Sequence, residues 1–147
     1  MNFSKSVIAV AAVWMVAIFY SSVGAQAPKS VWDGAYTEAQ SKRGATAYAA
    51  NCSECHSPEL AGDGFAPALA GADFLNAWNG LTVGDLFERI RISMPPGKES
   101  AVPAQAKADI VAYILQANKF PAGKAELGAQ TDALKGIKFE ATKPGQN

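Results

Sequence analysis

A chain of 147 residues, with 13 Lys and Arg against 13 Asp and Glu, has room for one domain and a tail. Its balanced charge offers no clustered basic patch for a nucleic-acid partner, and no run of like charges stands out. It holds two cysteines and one histidine, and all three fall within residues 52–56.

Residues 1–25 read as an export signal. Lys5 supplies the positive start, and Val7 to Tyr20 is an unbroken apolar run of 14. Val23-Gly24-Ala25 then provides small residues before a cut ahead of Gln26. A cut after Ala27 is disfavoured because Pro28 would follow it. The run falls short of the ~20 apolar residues of a transmembrane helix, so the cleaved chain is expected to have no membrane span. An uncleaved anchor is the rival reading. Cleavage removes only Lys5 among the charged residues and leaves 12 Lys and Arg against 13 Asp and Glu, a formal charge of −1. A short N-terminal extension, residues 26–35, is expected before a domain over 36–122 and a C-terminal tail over 123–147.

Residues 38–50, EAQSKRGATAYAA, predict a helix in which Gly44 and Tyr48 share a face. A glycine inside a helix costs roughly 1 kcal/mol relative to alanine, so close approach of another element is expected there. The helix leads into Cys-Ser-Glu-Cys-His at 52–56. Outside the cytoplasm two cysteines ordinarily pair. A bridge from Cys52 to Cys55 would close so short a ring that it would stabilise little. Three chemical readings then compete. A thioredoxin-like dithiol requires a βαβ setting, which the flanking sequence does not supply. A closed structural zinc site requires four Cys or His ligands, and this chain has three. Covalent haem attachment requires two thiols for the vinyl groups and the following histidine for the iron. Cysteines at i and i+3 on a helix share a face, which suits two vinyl groups on one porphyrin edge. The third reading accounts for all three residues.

Residues 57–71 read as loop, punctuated by Pro58, Gly62, Gly64, Pro67 and Gly71; Phe65 and Leu69 within it are expected to cover something. A short helical turn is expected within 72–80 and a helix over 82–92, with Leu86, Phe87 and Ile90 on its buried side. Met94 follows, ahead of Pro95-Pro96-Gly97. Once Met1 and Met15 leave with the signal it is the one thioether remaining, and it is the candidate for the second axial position on iron. Its rival role is that of a core gap-filler.

Residues 103–118 form the clearest helix, with Pro103 at its start and Ile110, Tyr113, Ile114 and Ala117 as an apolar stripe. Lys119 and Pro121 mark its end. Beyond Gly123, Leu134, Ile137 and Phe139 are expected to dock on the domain, with a frayed polar end. Three short helices make a thin core. A flat apolar macrocycle would give Phe65, Leu69, Phe74, Leu75, Trp78, Leu81, Phe87, Ile92 and Val102 a centre to pack on, although for each one taken singly plain core packing is the favoured reading.

Over about residues 36–120 the chain resembles class I c-type cytochromes. The resemblance is carried by CSECH at 52–56, Gly44 and Tyr48 before it, APALAG at 66–71, MPP at 94–96, and the helix DIVAYILQAN. More narrowly, VWDGAYTEAQSKRG and WNGLTVGDLFERIRISMP are similar to small bacterial cytochromes that accompany quinoprotein dehydrogenases. The resemblance implies an all-α cytochrome c fold, three main helices plus short turns around one covalently bound haem. It implies first and last helices crossing through Gly44, Tyr48 and Tyr113. It implies that the Pro67 carbonyl accepts a hydrogen bond from His56, fixing the imidazole and strengthening it as a ligand; simple loop stiffening is the alternative for Pro67. It places Trp78, Asn79 and Arg89 or Arg91 near haem propionates, where Arg offers a fork of donors; a plain surface role is the alternative for either arginine.

The expected cofactor is therefore one haem c, attached at Cys52 and Cys55 and ligated by His56 and Met94. A six-coordinate iron of this kind suits one-electron transfer rather than catalysis, and a Met ligand raises the potential. The expected function is that of a periplasmic carrier, or of the cytochrome subunit of a dehydrogenase. Its partners would be redox proteins: a dehydrogenase, an oxidase or another cytochrome. A haem enzyme or gas sensor with a displaceable sixth ligand is the alternative.

Overall fold

The computed structural model describes residues 27–145, and the expected signal at 1–25 lies outside them. Thr37 starts the first helix, α1 (Glu38–Asn51): its side chain accepts from the Gln40 amide at 3.1 Å. The helix turns over at Cys52 into a single turn, α2 (Ser53–His56). After the loop come α3 (Ala72–Trp78) and α4 (Val83–Ser93). A reciprocal cap begins α4, in which Thr82 Oγ1 accepts from the Asp85 amide at 3.1 Å and Asp85 accepts from the Thr82 amide at 2.9 Å. A 3-10 turn at Glu99–Ala101 leads to α5 (Ala104–Ala117), with Pro103 in the capping position rather than inside the helix. A last turn, α6 (Thr131–Leu134), follows. Among the described residues all named elements are helical, so the fold is all-α, as expected.

The crossing of α1 and α5 organises the rest. Gly44 lies against the α5 backbone so closely that a Cβ built on it would sit 2.5 Å from the Asp109 carbonyl carbon and 3.0 Å from the Tyr113 Cβ. One turn on, Tyr48 and Tyr113 pack with ring centroids 5.3 Å apart. A buried polar network locks the same crossing. Gln40 Nε2 donates to Asp109 at 3.0 Å and to the Leu127 carbonyl at 2.8 Å, while Gln40 Oε1 accepts from the Leu127 amide at 2.8 Å. Arg43 Nε donates to the same Asp109 carboxylate at 3.1 Å. Burial pushes Asp109 up, but hydrogen bonds from Arg43, Gln40 and Gln105 outweigh it, and the carboxyl is held below its ordinary range.

The stripe on α5 captures only part of its burial. Val111, Ala112 and Leu115 are as inaccessible as Ile110 and Ile114, and they belong to the same hydrophobic core. Part of that core is built by the chain on either side of the main helices. Residues near both ends pair: the Val31 amide donates to the Lys138 carbonyl at 3.0 Å, and the Lys138 amide to the Lys29 carbonyl at 2.8 Å. The tail also runs past the start of α4, where Phe139 N–H donates to Leu81 and Val83 N–H to Ile137, both at 2.9 Å. Phe139, fully buried, stands edge-on to Phe120 at 5.3 Å and to Phe74 at 5.8 Å; Trp32 covers Phe120 at 4.8 Å. Such edge-to-face aromatic pairs add to plain area burial. Leu134, Ile137 and Phe139 therefore dock, as the sequence leads one to expect, and Val31, Tyr36 and Leu127 join them.

Candidate haem site

α1 delivers the site. Its last turn ends on Cys52, whose amide donates to the Tyr48 carbonyl at 2.8 Å, and α2 continues from there with His56 N–H on the Cys52 carbonyl at 2.9 Å. The two thiols are free; Cys52 is half-buried and Cys55 exposed. Burial pushes the Cys52 thiol up, against the opposing pull of Lys107. His56 is buried, and its Nδ1 lies 2.8 Å from the Pro67 carbonyl oxygen. A carbonyl can only accept, so Nδ1 carries the hydrogen and Nε2 keeps its lone pair for a metal. The carbonyl that the resemblance assigned to this bond is the one that makes it.

The loop that carries Pro67 is tied at several points. Tyr48 Oη donates to the Ser57 carbonyl at 2.6 Å, Gly62 N–H to His56 at 3.0 Å and Leu69 N–H to Leu60 at 2.8 Å. Burial, with Cys52 adding to it, pushes the Tyr48 hydroxyl up to about 12, so it stays a donor at all ordinary pH. Leu69 is half-buried, but Phe65 is fully exposed and packs against no other part of the protein. Asp63 Oδ1 accepts from the Phe65 and Ala66 amides at 2.9 and 2.7 Å, and this local turn holds Phe65 at the tip.

Met94 caps α4 in extended conformation, its amide on the Ile90 carbonyl at 3.1 Å. It shares a small recess with Cys52, Ile90, Val102, Lys107 and Ile110. The fold thus brings Cys52 and Met94, 42 positions apart in sequence, onto one lining. Phe74, Phe87 and Val102 are buried within the protein core, as plain packing leads one to expect for each, whereas Leu81 and Ile92 are exposed.

The residues assigned to propionates lie elsewhere than in this recess. Trp78 is half-buried against Phe74 at 6.1 Å. Asn79 Oδ1 accepts from the Ala141 amide at 2.9 Å and so anchors the tail. Arg91 grips Glu88 with two hydrogen bonds, at 2.8 and 2.6 Å, while exposed Arg89 has no ion pair among the described residues.

Two site-shaping residues escape a sequence reading. Asn118 Nδ2 donates to the Ile114 and Leu69 carbonyls, each at 2.9 Å, and its Oδ1 accepts from Gly71 at 3.1 Å, which sews α5 to the haem-side loop. Lys107 is buried in α5, and its Nζ donates to the carbonyls of Arg91 at 3.0 Å and Glu99 at 2.7 Å. The signal for Lys107 was its place three residues before Ile110, on the apolar stripe.

The donor set fits a covalently held haem: two free thiols at one helix end, an imidazole with its Nδ1 already engaged, and a thioether on the same recess as the first thiol. Among the described residues no group of three or more His, Cys, Asp or Glu side chains could hold a metal ion by itself. Fold and site define a class I c-type cytochrome, a haem-based electron-transfer module. Residues 39–114, 76 of the 147, match the model of the family described as cytochrome C oxidase, cbb3-type, subunit III, and the chain belongs to that family. No curated protein and no solved structure matches the chain.

Proposed function

We propose that the chain is an exported monohaem cytochrome c that passes single electrons between redox proteins, as a free carrier or as the cytochrome subunit of a dehydrogenase. Haem, when bound, supplies a one-electron iron couple. Cys52 and Cys55 would hold it by thioethers, and His56 Nε2 and Met94 sulfur would be the donors to its iron. The observation that carries this reading is the 2.8 Å contact between His56 Nδ1 and the Pro67 carbonyl, which leaves Nε2 as the donor on a residue that directly follows two free cysteines in sequence. Pro67 acts through that contact: its carbonyl orients the ring and raises its basicity toward metal. Met94 favours the ferrous state relative to a nitrogen ligand. Trp78 and Arg89 are proposed to meet the propionates from α3 and α4. Exposed Cys55 keeps one edge of the cofactor near the surface, which suits the small, brief interfaces of electron-transfer partners. Among the described residues no helix is long and apolar enough to cross a membrane. The pattern of residues 1–25 supports delivery to the periplasm.

Denaturing mass spectrometry of protein matured in a host that attaches haem tests the assignment. One retained haem mass and no free thiol are expected, and the Cys52→Ala/Cys55→Ala variant should lose the cofactor. Normal haem loading in that variant would refute the attachment. A weak absorption band near the red end of the oxidised spectrum reports iron–thioether ligation. Its absence, with a high-spin signature, would replace the carrier by a haem enzyme or gas sensor. Met94→Ala should keep haem attached and lower the reduction potential.

A further inference from the structure

The segment that carries Met94 is held to the rest of the protein at few points. From Met94 to Ala101 the backbone hydrogen bonds are local: Met94 N–H to Ile90 at 3.1 Å, Lys98 N–H to Pro95 at 2.9 Å, and Ala101 N–H to Lys98 at 2.9 Å. The Gly97 amide likewise turns inward, onto the Glu99 side chain at 2.8 Å. Prolines at 95 and 96 remove two more donors. Among the described residues, the hydrogen bonds that reach this stretch from another part of the chain come from one side chain, Lys107. Its buried Nζ spans the stretch, with one bond to Arg91, three residues before Met94, and one to Glu99, five residues after it.

We propose that Lys107 is a positioning residue for Met94, its ammonium bridging the carbonyls on either side of the ligand segment and holding that segment against α5. The proposal rests on the reading of Met94 as the sixth ligand. Lys107 sits on the recess shared by Cys52, Met94 and Ile110, so the anchor and the thioether face the same space. A buried ammonium is costly unless its donors are used. Charge-assisted bonds to the two carbonyls stabilise it and give the Met94 segment a fixed reference on the rigid helix. Swinging the thioether away from a metal would strain or break one of these bonds. The ammonium thereby resists replacement of Met94 by outside ligands, though it touches neither the metal nor the ligand atom.

The test uses the full chain with haem attached. Lys107→Leu removes both donors, and Lys107→Arg keeps a charged donor at the same position. Haem mass and circular dichroism establish loading and folding. In Lys107→Leu, free imidazole should bind the oxidised protein about tenfold more tightly, equivalent to about 1.4 kcal/mol and close to the lower bound for one charged hydrogen bond. The weak red-end band should fade, and Lys107→Arg should restore it in part. A folded, loaded Lys107→Leu protein with unchanged band and imidazole affinity would overturn the proposal. If Lys107→Leu does not fold, the unsubstituted protein decides by nuclear magnetic resonance. Its Nζ protons should exchange slowly with solvent and become fast once imidazole displaces Met94; slow exchange persisting in the imidazole complex would overturn the assignment. A missing red-end band in the unsubstituted protein would instead show that Met94 is not a ligand, which removes the underlying reading and this inference together.

Discussion

Replacing Gly44 by alanine tests the crossing on which the haem-side geometry depends. In an isolated helix the change would be favourable by roughly 1 kcal/mol, because alanine loses less backbone entropy. Here the new Cβ would lie 2.5 Å from the Asp109 carbonyl carbon, and the obstruction is α5 backbone rather than a side chain that could rotate away. The helices must then separate. Overpacking of this kind costs up to about 3 kcal/mol, with backbone obstruction at the upper end. Separation also lengthens the bonds from Gln40 and Arg43 to Asp109, which sit on the same crossing. The net expectation is a loss of about 2 kcal/mol, seen as a drop of about 8 °C in Tm or about 1 M in the urea midpoint. Haem-loaded Gly44→Ala and unsubstituted protein should be compared by both denaturants, followed by circular dichroism. A variant as stable as the parent, or more so, would mean that helix propensity dominates and that α1 and α5 do not meet at residue 44.

Phe139→Ala should cost about 4 kcal/mol, since the ring is fully buried between Phe74 and Phe120. Phe139→Leu should cost under about half of that, and equal losses in urea unfolding would argue that the backbone pairing alone holds the tail. Acid sensitivity follows from carboxylates held below their usual range: Glu88, brought to about 2 by hydrogen bonds from Arg91 and Thr131, and Asp109 and Glu126, each bonded by Arg43. Their folded values lie below the unfolded ones, so their contribution is complete above the ordinary carboxylate pKa of about 4. It is lost as pH falls toward about 2. Arg43→Met should therefore move the acid-unfolding midpoint to higher pH and change little in the pH range where all three groups are already protonated; an unshifted midpoint would contradict the assigned pairing.

The local chemistry of the site was legible in the chain itself. Cys52, Cys55 and His56 are adjacent, and the reach of a thiol or an imidazole depends on covalent spacing and helical pitch alone. Helix α1 and helix α4 were legible as the stretches 38–50 and 82–92, and the structure shows their starts held by Thr37, and by Thr82 with Asp85, whose side chains bond amides three residues away. Phe65 shows how local the turn is: Asp63 accepts from its amide and leaves the ring outside the protein core.

Contacts between distant residues needed the folded protein. That Met94 shares a recess with Cys52 depends on how α4 ends against α5, where buried Lys107 bonds the carbonyls of Arg91 and Glu99. The core beyond the family match is a larger case. Residues 39–114 carry that match, but Val31, Phe120, Leu127 and Phe139 lie outside it and are buried in the same core as α5. By itself the sequence determined what neighbours along the chain can offer: two thiols, one imidazole, and the helix that leads into them. Only the tertiary structure decided that Met94 shares a recess with Cys52, that Lys107 bonds the carbonyls of Arg91 and Glu99, and that Trp32, Phe120 and Phe139 pack together. Those outcomes are set by shape and polar pairing between remote segments, and such pairings leave no periodic trace in the order of residues.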